Sequence, residues 1–254
     1  MSSILALHAA TAGRFDNKPG ARFGSKKRVV TIQPGKKSRL VFLTEPEGLA
    51  VEQYKILRHR LVTLHPEGGV MLVTSPSPGE GKTLTSVNLA FSLAEGGKKT
   101  CLVDLDFRAP GVGFTLGYEF EEDSIEDVLN GERTIAESVR QLGERPLYVL
   151  GVKKCMASPG HFFKPEILTP VLNTLRSMFE WVILDFAPVI PMADVAEIAP
   201  QADGALLVIR TAKTDKALVG PCLETLGSKL WGVVMNDSPI SGSSYYGYYG
   251  KHRD

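Results

Sequence analysis

Between Val70 and Ala94 an apolar run, Val70-Met71-Leu72-Val73-Thr74, enters a turn, Ser75-Pro76-Ser77-Pro78-Gly79-Glu80-Gly81-Lys82-Thr83, and leaves it as an amphipathic segment beginning at Leu84. A strand that turns on glycines into a helix is a cradle for phosphate. Glycines let backbone N–H groups crowd around phosphate oxygens, and the helix N-terminus adds partial positive charge. A lysine at the position of Lys82 reaches the β/γ-phosphates, and a hydroxyl at the position of Thr83 ligates Mg²⁺. The full pattern G-x-x-x-x-G-K-[ST] has lost its first glycine to Pro76. The plainer reading is an ordinary strand-to-helix turn with a lysine at its edge, so the decision rests on what the rest of the chain places beside it.

The chain has 254 residues and 43% apolar content, enough for one sizeable core with tails. Apolar runs at 70–75, 100–104, 147–151, 181–185, 205–210 and 231–236 read as strands, and 52–64, 83–95, 167–179 and 214–228 as helices. Several strand runs are apolar on successive residues, as expected when both faces are covered. The alternation predicts an α/β fold, a doubly wound and mostly parallel sheet whose strand C-termini line one ligand-binding edge.

Net charge is +1, which makes no case for nucleic acid as a partner. Charge is uneven, however: Arg14, Lys18, Arg22, Lys26, Lys27, Arg28, Lys36, Lys37 and Arg39 are opposed only by Asp16. Residues 1–40 are therefore expected to be a disordered basic arm, one suited to an anionic lipid surface. Residues 41–240 are expected to be the folded domain and 241–254 a flexible tail. The N-terminus lacks the charged start and apolar core of a secretory signal, and no stretch approaches the ~20 apolar residues of a membrane span. The cysteines, Cys101, Cys155 and Cys222, lack ligand or disulfide spacing, which fits a cytoplasmic protein. The histidines show no ligand spacing either.

Two of the predicted strands end in acid. Val103-Asp104-Leu105-Asp106 closes one, with Arg108 just beyond, and Ile183-Leu184-Asp185 closes another. In a parallel sheet both ends lie beside the phosphate loop. Clustered carboxylates repel unless a cation relieves them, and Mg²⁺ is the natural oxygen-seeking partner. Asp185 is expected to hold the metal; Asp104 is expected to accept a proton from an attacking hydroxyl or organise metal-bound water. Asp106 and Arg108 are open between that role and a surface ion pair. Asn236, ending the last strand, is a candidate contact for the nucleotide base.

The set Pro78-Gly-Glu-Gly-Lys-Thr83, Val103-Asp-Leu-Asp-Phe-Arg108 and Val182-Ile-Leu-Asp185 closely resembles the bacterial tyrosine kinases, a P-loop NTPase family of the deviant Walker type, over roughly residues 46–236. The resemblance implies ATP and Mg²⁺, with Pro78, Gly79, Glu80, Gly81, Lys82, Thr83 and Leu84 lining the nucleotide. It places Thr83, Asp104 and Asp185 at the metal and Lys82, Asp104 and Asp106 in catalysis. It implies a non-specific protein-tyrosine kinase that phosphorylates Tyr245, Tyr246, Tyr248 and Tyr249 in the tail of a neighbouring copy. Glu52, Lys55 and Arg58 match the family's E-x-x-R-x-x-R subunit-contact pattern, with lysine in the middle; a homo-oligomer, a ring among the options, follows. The implied setting is exopolysaccharide or capsule synthesis and export, in the cytoplasm, peripheral to the membrane through an embedded activator or co-polymerase.

Two departures stand out. The third acidic motif reads Asp185-Phe186-Ala187-Pro188, without the family's usual hydroxyl, and the tyrosine cluster is short. They admit two alternatives: a catalytically weak nucleotide-binding scaffold of the export complex, or a partitioning or positioning ATPase. Ser77 argues against the last, which carries a lysine there.

Overall fold

A computed structural model describes residues 29–35, 38–121, 123–191 and 193–239. The tail tyrosines and most of the basic arm lie outside these residues. The strands are β1 (Val29–Val30), β2 (Gly69–Thr74), β3 (Thr100–Asp104), β4 (Arg140–Leu142), β5 (Leu147–Leu150), β6 (Trp181–Asp185), β7 (Gly204–Arg210) and β8 (Leu230–Asn236). The helices are α1 (Val41–Thr44), α2 (Leu49–Leu64), α3 (Lys82–Glu95), α4 (Val112–Leu116), α5 (Ile125–Leu129), α6 (Ile135–Ser138), α7 (Pro165–Met178), α8 (Asp194–Ile198) and α9 (Lys216–Leu226), with short 3₁₀ turns between them.

One sheet runs in the order β1-β4-β5-β3-β6-β2-β7-β8. All neighbours are parallel except β4 with β5. Successive side chains of a strand point to opposite faces, and the central strands use both. Val70 and Leu72 of β2 pack into the layer that holds α7 and Cys222 of α9. Met71 and Val73 pack into the layer that holds α2 and α3. That explains the near-continuous apolar runs. Helix α7 shows one apolar stripe, Leu168, Leu172, Leu175 and Met178, after Pro165 at its first turn. Helix α3, by contrast, is buried from Thr85 through Ala94, because α2 covers the side that the sheet does not.

The folded part starts earlier than expected. Val29–Val30 pairs in parallel with Gln141–Leu142, and Leu40 is fully buried. The boundary expected at residue 40 is thus corrected: a two-residue strand among lysines and glycines carries no periodicity to read.

Candidate active site

Strand β2 sits next to β6, and β6 next to β3, so three strand C-termini open on one edge. The loop after β2 carries the expected phosphate cradle. Gly79 and Gly81 both take positive φ, +80° and +94°, and Lys82 opens α3. Glycine is required at the second of these for a further reason: a Cβ on Gly81 would stand 2.1 Å from Asn236 Nδ2.

Lys82 Nζ lies 2.6 Å from Asp106 Oδ2, a pair almost wholly removed from solvent. Asp106 is therefore a buried partner of the loop lysine, not half of a surface ion pair. Arg108 pairs with Asp194 of α8. Burial alone lowers the Lys82 ammonium pKa, but Asp185, Asp106 and Asp104 outweigh it and the net shift is upward. Lys82 stays a cation at any working pH.

Asp104 and Asp185 are register partners on β3 and β6, and both are fully buried. Asp104 Oδ1 accepts from the Asp106 N–H, and Oδ2 accepts from those of Gly111 and Val112. Its first task is to hold the loop that carries Asp106. Asp185 Oδ1 accepts from the Ser86 hydroxyl at 2.9 Å, whereas Oδ2 is buried without a hydrogen-bond partner. A carboxylate oxygen stranded this way beside a cationic lysine fits a hard divalent cation. The Thr83 hydroxyl stands close enough to favour the charged form of Asp185. Among the described residues no three His, Cys, Asp or Glu side chains form a ready-made metal cage. A metal ion here thus needs phosphate and water oxygens besides Asp185 and Thr83, the usual arrangement for Mg²⁺.

Desolvation raises the pKa of both buried carboxylates; the neighbouring charge of Asp185 raises Asp104 further, and Lys82 pulls Asp185 back down. A carboxyl held protonated in the folded chain to higher pH than in the unfolded chain contributes stability that is fully present below the unfolded value. That stability is lost as pH rises through the folded value. The melting-temperature difference between the nucleotide-free protein and Asp104→Asn is therefore expected to move against the wild type as pH is raised from about 5 to 8. His65, whose pKa burial lowers, slopes the other way but equally in both proteins. A pH-independent difference would contradict this assignment.

Several parts of the site carry no sequence signature. Glu80 points inward rather than toward a ligand: it accepts from Ser77 Oγ at 2.6 Å, the Arg210 N–H at 2.7 Å and the Thr214 hydroxyl, and so braces the phosphate loop against β7. Its expected place in the nucleotide lining reduces to its backbone. Asn236 also braces the loop, donating from Nδ2 to the Glu80 carbonyl at 2.8 Å, so its amide faces the loop backbone. Glu80→Ala is expected to cost about 2 kcal/mol of stability, read by urea unfolding, because it leaves buried donors unpaired. It should weaken ADP binding too. The altered turn after Asp185 is held without the missing hydroxyl: Thr74 Oγ1 donates to the Ala187 carbonyl at 2.7 Å, the Phe186 N–H bonds Val73, and Phe186 itself is buried against Phe163.

On α2, Lys55 pairs with Glu52 at 2.7 Å on the exposed surface. Arg58 turns inward, donating to the Ser92 carbonyl in the last turn of α3, with its stem over Gly96. A cation at a helix C-terminus is stabilising, so Arg58 is tied to the phosphate-loop helix from behind.

This fold and this site define a P-loop nucleotide-binding domain of the NTPase superfamily. A family model described as "AAA domain" matches residues 70–225. Tyrosine-protein kinase YwqD of Bacillus subtilis is 32% identical over 216 residues, 83% of this chain and 91% of that protein. Succinoglycan biosynthesis transport protein ExoP of Rhizobium meliloti is 25% identical over 238 residues, 89% of this chain but 30% of that longer one. Among solved structures, the VpsO kinase domain superposes with a TM-score of 0.69 at 27% identity, covering 78% of this chain and 99% of that one. The chain belongs to the bacterial tyrosine kinases.

Proposed function

We propose that the chain is an ATP-dependent protein-tyrosine autokinase of exopolysaccharide or capsule synthesis. Its acceptors are Tyr245, Tyr246, Tyr248 and Tyr249 of a neighbouring copy. The observation that carries this reading is the meeting of Lys82, Asp106 and the stranded Asp185 oxygen at one strand edge beside the phosphate loop. Backbone N–H groups from Gly79 to Leu84 cradle the phosphates, and Lys82 leaves Asp106 for the β/γ-oxygens. Thr83 and Asp185 would hold Mg²⁺, with Asp104 organising metal-bound water, and the ion would supply charge neutralisation on the triphosphate. The acceptor tyrosine Oη forms a bond to the γ-phosphorus while the bond from that phosphorus to the bridging oxygen breaks and ADP departs with the electron pair. The Oη proton passes to Asp106, whose Oδ2 is released when Lys82 moves.

Glu52 and Lys55 are available on the outer face of α2 for contact with another copy, and Arg58 links that face to α3. No helix among the described residues is long and apolar enough to cross a membrane. Attachment to the membrane at the cytoplasmic face is assigned to an embedded co-polymerase partner, in keeping with the transport protein ExoP, within which a stretch similar to this chain occurs.

Mass spectrometry of the tail after incubation with Mg-ATP tests the reading. Phosphate on the tail tyrosines, absent when ATP is replaced by ADP, is expected. Unmodified tyrosines in a folded preparation that binds ATP and has been given the activator's cytosolic segment would remove it.

A further inference from the structure

The loop that carries Asp106 continues through Pro110 into α4, and there one wall of a groove of about 440 Å³ begins. Pro110 and Phe114 form that wall, and the segment Tyr118-Glu119-Phe120-Glu121 forms the other. Phe114 is 93% exposed, an aromatic ring left almost wholly in water. Phe120, in the second wall, is buried with its ring edge-on to Tyr118 at 4.9 Å, so the groove is aromatic on both sides. Glu119 and Glu121 are exposed and have no cationic partner among the described residues. Lys153 also lines the groove, but its ammonium is already paired with Asp127 at 2.7 Å. The groove is thus aromatic in its walls and uncompensated in its negative charge.

One segment of this chain has the complementary chemistry. The residues after Pro239 read Ile240-Ser-Gly-Ser-Ser-Tyr245-Tyr246-Gly247-Tyr248-Tyr249-Gly250-Lys251-His252-Arg253-Asp254, four aromatics followed by two cations. Tyr249 and Arg253 are four residues apart, about 13 Å of extended chain. With Lys251 and Arg253 seated on Glu119 and Glu121, the tyrosines are within reach of Phe114, on the wall that continues from the Asp106 loop. The chain from residue 240 to Tyr249 spans about 33 Å when extended, ample for reaching a groove on an adjacent copy.

We infer that this groove is the acceptor-docking site of the kinase, in which Phe114, Glu119 and Glu121 select the tyrosine-rich tail of a neighbouring copy through stacking and its basic end. The inference rests on the kinase reading for the purpose of docking, but binding can be measured without catalysis. The probe is a fluorescein-labelled peptide of residues 240–254. The binder is the full chain with its own tail tyrosines, Lys251 and Arg253 changed to serine, so that it does not compete. Phe114→Ser and the double variant Glu119→Lys/Glu121→Lys are each expected to weaken peptide binding at least tenfold by anisotropy. ADP affinity and melting temperature should be unchanged, since all three side chains are exposed. A peptide carrying Lys251→Glu and Arg253→Glu is expected to recover binding to the charge-reversed protein. Equal binding to all proteins, no binding to any, or equal binding of a scrambled peptide would overturn the inference. Phosphotyrosine formation is scored separately on the native chain. Its absence alongside groove-dependent binding removes the kinase reading and leaves a tail-binding groove; its presence alongside groove-independent binding removes the groove alone.

Discussion

Replacing Lys82 with methionine is expected to lower tail phosphorylation about 10³-fold, measured by phosphotyrosine formation under saturating Mg-ATP. A preorganised donor aimed at charge that develops in the transition state is worth about 10²–10³ in rate, and Lys82 adds full positive charge to that role. The same change strands Asp106, since the ammonium 2.6 Å away is its cation. Removing one side of a buried ion pair costs about 3–5 kcal/mol, so inactivity of the methionine variant has two possible sources. Lys82→Arg separates them. It keeps the charge beside Asp106 and is expected to stay within about 1 kcal/mol of wild-type stability. Its planar fork does not match a point contact between phosphates, so activity should still fall about 10²-fold or more. Full activity of Lys82→Arg would show that the charge alone matters.

Gly81→Ala is expected to lose nucleotide binding about 100-fold, or about 2.7 kcal/mol, in calorimetry with Mg-ADP. Two effects act together. At φ +94° any side chain is strained, and the new Cβ meets the Asn236 amide at 2.1 Å. The loop must then open away from β8, carrying with it the N–H groups that cradle phosphate. Asn236→Ala in the same chain removes the collision but not the strain, so it should recover part of the affinity and never all of it. An additive outcome, with no recovery, would mean that the amide does not press on the loop.

The central sheet was legible because its strands are apolar, β-branched and short. The six expected strands appear with ends within one residue, from Gly69–Thr74 to Leu230–Asn236. The two strands that were missed have reasons. Val29–Val30 is too short to show a period, and Arg140–Leu142 looks like a polar surface turn. It is buried because Leu142 packs into the core, Arg140 pairs with Asp123 and donates to the Glu137 and Val139 carbonyls, and Gln141 bonds the Arg145 carbonyl. The long helices were foreseen within three residues, whereas α4, α5, α6 and α8, of four or five residues each, are set by tertiary contacts.

At the site, the convergence of Lys82, Asp106 and Asp185 follows from topology, which parallel strands make readable. The inward turn of Glu80 does not follow, because its partners Arg210 and Thr214 lie some 130 positions away. Ser86 was within reach of the sequence: four residues after Lys82 it shares that face of α3, and its hydroxyl meets Asp185. Asn236 was expected at this edge as a contact for the base; its bond to the Glu80 carbonyl and its closeness to Gly81 could not be read from the sequence.

The strand that props the phosphate loop is also the last strand among the described residues, and in sequence it leads into the tyrosine-rich segment. Asn236 grips the loop, and Asp237 is tied to Arg210, whose backbone holds Glu80. Any tension on the chain beyond Pro239 is delivered first to the residues that brace the phosphate loop. Leash and cradle are mechanically one piece.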